Sequence, residues 1–326
     1  MKKRILIIGR FASESLAYLM QFREYEILRI AEGEAVGEKD LASASAIILR
    51  STVTVNEDLL RKASGVQVIV TATSGFDHID FAATERWGVT TMYTPEANVA
   101  SVAQFTLNLI LQSQTKIFSG VRSLKSGDWR TGVALGSEVQ GRTLGIVGLG
   151  RIGRAVATLG RAIGMNLCAY DPYVEDVEFT QSGAARVSFE ELLKCSDVIT
   201  FHVPKTSETV NMLNRSQFEY IHRGVAVINT SRGGVVHEED LVEAIRQGWV
   251  SFAGLDVFAK EPLPRDSTLL QLPQVILTPH MSSLTEDAFF KSSQMAAEKV
   301  LRFLREGVAT DTLPPKADWY GVEARW

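Results

Sequence analysis

The sequence predicts an α/β protein built from two doubly wound, Rossmann-like parallel-sheet domains, one of them discontinuous along the chain. Three observations carry this reading. Short apolar runs rich in Ile and Val recur through the 326 residues, separated by segments with helical spacing. Strands that are apolar without interruption, not alternating, belong to sheets covered on both faces. One such run leads directly into a glycine-rich turn, Gly148-Leu149-Gly150-Arg151-Ile152-Gly153, and then into a helical segment. The length exceeds one ordinary core and fits two.

The first domain carries predicted strands at 5–8, 46–49, 66–70 and 89–92, and the second carries them at 143–147, 167–170, 198–201, 225–229, 252–255 and 275–278. Between the two sets, Val99, Val102, Ala103, Phe105, Leu109 and Ile110 predict one long helix from Val99 to about Leu124, and a polar, Gly-containing arm follows at 126–142. Residues 283–305 place Phe289, Met295, Ala296, Val300, Leu301 and Leu304 on one face, which predicts a second long helix stopped at Gly307. The first domain otherwise has too few helices to cover its sheet, so this helix is expected to return to it. The domains are then 1–98 with 284–326, and 99–283. Hinges near Asn98 and Ser283 would let one domain close on the other and exclude water. A tail with Pro314, Pro315, Trp319, Tyr320 and Trp326 ends the chain with no assigned role.

Composition narrows the class. Hydrophobic residues at 45% and charged residues at 22% fit a soluble globular protein. A net charge of -4 argues against a general nucleic-acid binder. The basic start, Met1-Lys2-Lys3-Arg4, precedes an apolar stretch too short for a signal peptide, and no run approaches the roughly 20 residues of a membrane span. No membrane association is expected, and the cytoplasm is the expected compartment. Two cysteines, Cys168 and Cys195, give neither a disulfide framework nor a metal cluster, and both read as buried free thiols.

The glycine turn follows a strand and opens a helix, and Asp171 lies 18 residues beyond Gly153 at the end of the next strand. In that context Gly148, Gly150 and Gly153 fit a dinucleotide-binding turn. The first glycine permits the tight turn, the second lets backbone approach a pyrophosphate, and the third lets helix pack on strand. Arg151 and Ile152 open the helix whose amides and dipole face the phosphates. Asp171 is placed to accept hydrogen bonds from ribose hydroxyls and would repel a 2′-phosphate, so NAD is expected over NADP. Asp171 also precedes Pro172 and suits a turn. His202-Val203-Pro204 ends another strand and reads as a wall on the adenine side.

Three later strand ends carry unusual chemistry. They lead into Thr230-Ser231-Arg232-Gly233-Gly234, into Asp256-Val257-Phe258-Ala259-Lys260-Glu261-Pro262, and into Pro279-His280. Ligands of open α/β sheets bind outside the carboxyl ends of the strands, where all three segments would meet. Hydride transfer to or from a 2-hydroxy acid needs a cation for the carboxylate, an acid/base for the hydroxyl proton, and an anion that fixes the imidazole and favours its charged form. Arg232 suits the first role, His280 the second and Glu261 the third. Singly, Arg232 would pass for a loop charge, Glu261 for a solvated turn and His280 for a strand end; their joint placement favours catalysis. Thr230 and Ser231 fall on the cofactor side of the same loop.

On these motifs, in this order and over nearly the whole chain, the sequence resembles the D-isomer-specific 2-hydroxyacid dehydrogenase family, and within it the phosphoglycerate dehydrogenase-like members. The resemblance implies substrate binding by Arg232, acid/base catalysis by His280, orientation by Glu261, and Asp256 near the nicotinamide carboxamide. It assigns 1–98 with 284–326 to substrate binding and 99–283 to NAD binding. It also implies a homodimer joined through the helix and arm at about 99–142. It places the backbone amides of Ser74 and Gly75 on the substrate carboxylate, a stretch that also reads as a plain turn or an anion-binding nest. Arg50 resembles an arginine near the substrate; a salt bridge within its own domain is the alternative. Gln104 and His237 depart from common family residues without touching the catalytic set. No further regulatory domain, and so no control by serine, is expected. A binding protein of the NAD(H)-sensing corepressor kind would keep the same residues and stands as the alternative function.

Overall fold

The computed structural model describes residues 2–315; Trp319, Tyr320 and Trp326 lie outside the described residues. The chain divides into two compact units, one running to Asn98 and resuming at Leu284, the other spanning Val99–Ser283.

The first unit holds β1 (Lys3–Ile8), β2 (Tyr25–Ile30), β3 (Ala44–Leu49), β4 (Val68–Thr71) and β5 (Thr90–Met92), mutually parallel in the order β5-β4-β3-β1-β2. Its uninterrupted apolar runs serve two faces at once. Ile5, Ile7, Ile48 and Val70 face one core, shared with Ala296, Ala297, Val300 and Leu301 of the helix Glu286–Glu306. Leu6, Ile47 and Ile69 face another, shared with Leu60 and Ala83 of the short helices Glu57–Lys62 and Phe81–Arg86. Helix Glu286–Glu306 therefore packs on β3 and β4 of this unit. Thr285 caps its start, accepting the Ala288 amide at 3.1 Å, and Gly307 ends it at φ +69°.

The second unit holds β6 (Thr143–Val147), β7 (Asn166–Tyr170), β8 (Ala185–Arg186), β9 (Val198–Phe201), β10 (Val225–Asn229), β11 (Val250–Leu255) and β12 (Val275–Leu277). All pairs are parallel, in the order β12-β11-β10-β9-β6-β7-β8. The chain winds outward in both directions from β6, so the crevice between the carboxyl ends of β6 and β9 is a switch point. A last strand, β13 (Thr312–Leu313), adds antiparallel to β5 and makes the first unit's sheet mixed rather than purely parallel. No described helix is long and apolar enough to cross a membrane.

The strands and the long helix depart in part from the sequence expectations. Strands β2, β8 and β13 have no counterpart among the predicted strands: β8 and β13 are two residues each, and β2 is an edge strand whose apolar run Glu26 and Arg29 interrupt, with Arg4 of β1 pairing with Glu26 at 2.8 Å. The expected single helix from Val99 is two helices, Val99–Thr115 and Ile117–Lys125. Lys116 between them adopts the left-handed conformation at φ +57°, which no α-helix continues through. Its ammonium turns back to the Ser113 carbonyl at 2.7 Å and satisfies part of the helix end.

Leu301 is buried in the first unit's core. Leu301→Ala leaves a cavity between helix and sheet and is expected to cost about 2–5 kcal/mol of stability, read from the midpoint of urea unfolding.

Candidate active site

The glycine turn sits at the switch point of the second unit. Gly148 has φ +91°, and a Cβ there would lie 2.6 Å from the His202 carbonyl oxygen. A Cβ on Gly153 would lie 2.1 Å from the Gly148 carbonyl oxygen. Both positions therefore exclude any side chain. A Cβ on Gly150 would meet nothing within 4 Å, and no side chain caps the helix Arg151–Ala162 that begins there. The helix start is thus an open cradle with exposed amides, which fits a dinucleotide pyrophosphate.

Asp171 follows β7 and holds this turn from below. Its Oδ2 accepts the Leu149 amide at 2.8 Å and its Oδ1 accepts the Tyr173 amide at 2.9 Å. The two roles read from the sequence, turn residue and ribose acceptor, are compatible, since each oxygen keeps a lone pair. Asp171 lines an open pocket with Tyr170, Arg186, Val187, Ser188 and Glu191. His202 turns inward instead. Its Nε2 lies 3.0 Å from Thr200 Oγ1, its Nδ1 is buried without a partner among the described residues, and burial pushes its pKa down to about 3. The ring is a neutral floor behind the turn.

The Arg232 loop is organised by Asn229. Its Oδ1 accepts the Ser231 amide at 3.0 Å and hydroxyl at 2.7 Å, and its Nδ2 donates to the Arg232 carbonyl at 2.9 Å. Thr230 Oγ1 lies 2.8 Å from Thr106 Oγ1. The side chains of Thr230 and Ser231 are thus buried in the loop's own framework. Backbone approaches backbone at Gly233, where a Cβ would lie 1.7 Å from the Phe258 carbonyl oxygen. This locks the Arg232 loop to the one carrying Glu261.

Glu261 and His280 meet. Glu261 Oε2 lies 2.8 Å from His280 Nδ1, while its Oε1 accepts the Phe258 amide at 3.0 Å. The imidazole remains 46% exposed and the carboxylate 37%, so the pair is partly open to solvent. His280 itself has φ +49°, an uncommon conformation for a residue with a side chain.

Asp256 accounts for that conformation. The residue that the resemblance puts near the nicotinamide carboxamide is fully buried. Its Oδ1 accepts the Thr278 hydroxyl at 2.6 Å and the Met281 amide at 2.9 Å, and its Oδ2 accepts the Ser282 amide at 2.8 Å. The His280 amide donates to the Asp256 carbonyl at 2.8 Å. Asp256 is the clasp of the turn that presents His280.

In the first unit, the loop after β4 is braced by Ser74 Oγ, which donates to the Thr94 carbonyl at 3.1 Å and to Asn98 Oδ1 at 2.7 Å. The amides of Ser74 and Gly75 donate to no acceptor among the described residues. Arg50 follows β3. Its Nε donates to the Arg10 carbonyl at 3.0 Å and its Nη2 to Ser292 Oγ at 2.9 Å, and its guanidinium lies 4.6 Å from the Phe289 ring centre. Arg10, after β1, lies over the same ring at 5.3 Å. No ion pair joins either guanidinium to a carboxylate among the described residues, and this excludes the salt-bridge alternative for Arg50. Burial, then the Arg10 charge, pushes the Arg50 pKa down to about 10. Arg10 has no motif around it that marks it as functional in the sequence. Its one visible signal is position, since β1 and β3 flank the first sheet's own switch point.

Comparisons with known proteins agree with this geometry. Residues 107–282 match the model of the D-isomer specific 2-hydroxyacid dehydrogenase NAD binding domain. The D-3-phosphoglycerate dehydrogenase of Bacillus subtilis is 35% identical over 302 residues, which is 93% of this chain and 57% of that protein. The D-3-phosphoglycerate dehydrogenase of Archaeoglobus fulgidus is 38% identical over 267 residues, 82% of this chain and 51% of that one. The chain thus spans little more than half the length of these curated relatives. Among solved structures, the TT0316 protein of Thermus thermophilus superposes with a TM-score of 0.85 at 32% identity, covering 95% of this chain and 99% of that one. The D-lactate dehydrogenase of Aquifex aeolicus, solved with NAD and lactic acid, gives 0.79 at 30%, covering 92% and 95%. The chain belongs to the D-isomer specific 2-hydroxyacid dehydrogenase family, and its second unit contains that family's NAD-binding domain.

Asp171→Ser removes the fixed negative charge beside the pocket and one strong acceptor. The ratio of NADPH to NADH dissociation constants is expected to fall by about tenfold, the equivalent of one charged hydrogen bond of about 1.5 kcal/mol. Fluorescence titration of each cofactor measures it. A wild-type protein that already binds NADPH more tightly would remove this role from Asp171.

Proposed function

We propose that the protein is an NAD-dependent oxidoreductase that interconverts a small D-2-hydroxy acid and its 2-keto acid. The observation that carries this is the 2.8 Å contact of Glu261 Oε2 with His280 Nδ1, a pair partly exposed and locked to the Arg232 loop. A dinucleotide held by the 148–153 glycine turn and Asp171 would supply or accept the hydride. With Nδ1 occupied by Glu261, the proton is exchanged at His280 Nε2. In the reducing direction the ring gives that proton to the forming alkoxide, and Glu261 fixes its orientation. Arg232 pairs with the substrate carboxylate through its planar fork. The unsatisfied amides of Ser74 and Gly75 are proposed as further carboxylate donors.

For the substrate's other end, Arg50 and Arg10 support a phosphorylated or dicarboxylic acid of phosphoglycerate-like size. Two cations lie over one ring with no carboxylate in ion-pair contact with either among the described residues, and an anion between them would relieve their repulsion. We also propose a homodimer joined through the Ile117–Lys125 helix and the arm, because Ile117, Phe118, Val121, Leu124, Trp129 and Leu135 are all exposed there. Two free thiols fit the cytoplasm as the compartment.

Two variants separate chemistry from binding. His280→Ala is expected to lower turnover in both directions by about 10²–10⁴-fold. Glu261→Gln, which keeps size and removes charge, is expected to lower it less. NADH affinity is expected to stay unchanged in both. Stopped-flow reduction of pyruvate, glyoxylate, hydroxypyruvate and phosphohydroxypyruvate provides the rates. No turnover of any of these by the wild type would contradict the enzymatic reading.

The distal cations are tested on the same panel. Arg10→Ala is expected to raise KM for phosphohydroxypyruvate by about tenfold, one charged hydrogen bond, and to leave hydroxypyruvate almost unchanged. Equal changes for both substrates would remove Arg10 from substrate selection.

A further inference from the structure

The chain has two cysteines, and the fold brings them together. Cys168 Sγ lies 3.4 Å from Cys195 Sγ, and both thiols are free. They are far apart in sequence and sit on different elements, Cys168 within β7 and Cys195 at the last position of the helix Phe189–Cys195. The sequence reading of both as buried thiols holds only for Cys168; Cys195 is exposed. One sulfur is therefore reachable by a small reagent from solvent, and the second waits behind it.

The two elements have a common function. Three residues after Cys168, β7 delivers Asp171 to the cofactor turn, while the other helix begins at Ser188, its N-cap, and carries Glu191 in its first turn. Asp171, Ser188 and Glu191 line the same pocket. β7 and this helix thus both lead to that pocket, and the thiol pair lies between the same two elements. The helix end is also closely packed. Ser196, next to Cys195, lies 3.7 Å from Cys168 Sγ and leaves no room for a Cβ on Gly145 of β6.

We propose that Cys168 and Cys195 are a dithiol modification site, oxidised by a peroxide or a small-molecule disulfide to an intramolecular disulfide that weakens dinucleotide binding. With peroxide, the Cys195 sulfur takes one oxygen to become a sulfenic acid, and one water leaves. The Cys168 sulfur then attacks the Cys195 sulfur, the S–S bond forms, and the departing hydroxide takes the Cys168 proton as a second water. Two thiols lose two electrons and one peroxide gains them. With a small-molecule disulfide, two exchanges give the same bond and release two small thiols. The order follows from access and charge. Cys195 is exposed and meets the oxidant first, whereas burial pushes the Cys168 thiol up to about 12, so Cys168 does not initiate and attacks only as its proton passes to the departing hydroxide or thiolate.

Closure shortens the sulfur separation from 3.4 Å to the about 2.05 Å of a disulfide. That draws the end of the helix toward β7, in a place where Ser196 already fills the space against β6. The strain passes along both elements to the pocket they frame. The effect on binding rests on the dinucleotide reading of this unit; the cross-link itself does not. Linkage makes the coupling reciprocal, so bound NADH must favour the dithiol by the same factor by which the disulfide weakens NADH.

The full chain is treated with hydrogen peroxide or with oxidised glutathione, and thiols are titrated under denaturing conditions alongside non-reducing mass analysis. Loss of both thiols in a monomeric chain, with no added mass, is expected, and dithiothreitol is expected to restore them. The NADH dissociation constant of the oxidised protein is expected to rise about fivefold or more and to return on reduction. Exposed Cys195→Ser should show neither change. Cys168→Ala should instead hold a stable glutathione adduct at Cys195. A folded protein that keeps both thiols, or acquires only an adduct on Cys195, would overturn the disulfide. Complete closure with an unchanged NADH dissociation constant would overturn the effect on binding while leaving the dehydrogenase reading intact.

Discussion

A buried carboxyl group holds the candidate active site together. Asp256, at the end of β11, is fully buried, and its two oxygens take the Thr278 hydroxyl and the amides of Met281 and Ser282. Without that clasp, the segment after β12 has no reason to place His280 in a left-handed conformation facing Glu261. An L residue there carries a penalty of order 1–2 kcal/mol, offset only where surrounding bonds over-determine the turn. The clasp joins two neighbouring strand ends, and Gly233 joins the third by letting its backbone meet that of Phe258. His280, Glu261 and the Arg232 loop thus form one mechanical assembly at the carboxyl edge of one parallel sheet.

The same sheet explains why the cofactor turn and the candidate catalytic residues lie together in the second unit. Winding outward from β6 opens a crevice between β6 and β9, and the glycine turn fills its rim. Asp171 fixes that turn by accepting the Leu149 amide, while the neutral His202 ring backs it. The residues expected on the cofactor divide into two kinds. Gly148, Gly150, Gly153 and Asp171 shape or face the open cradle. Thr230, Ser231 and His202 turn their polar atoms into the protein and hold the walls. Catalytic geometry of this sort depends on such supports, since small displacements of the reacting groups are costly.

Much of this was legible in the sequence, and the failures have physical causes. Buried strands such as Ile5–Ile8 within β1 announce themselves because both faces are covered; β2 does not, because an edge strand tolerates Glu26 and Arg29. Gly148 and Gly153 were legible because backbone crowding permits nothing else there. The break at Lys116 was not, since apolar spacing continues across it. Asp256 was seen as a strand-end acid, but its direction is set by three donors that only the folded turn assembles. Arg10 and Arg50 converge on Phe289 from positions 239 or more residues apart, which no local pattern reports.

The clasp is the point at which the account is most directly exposed. Asp256→Asn keeps the shape and the acceptor at one oxygen but sets an N–H₂ donor against one of the donors the carboxylate now accepts. Turnover of the wild-type protein's best 2-keto acid, measured beside NADH affinity and circular dichroism, decides the matter. A protein that stays folded and binds NADH normally, but turns over about 10²-fold more slowly, is the predicted result. Wild-type turnover from Asp256→Asn would contradict the claim that this buried carboxyl group positions His280.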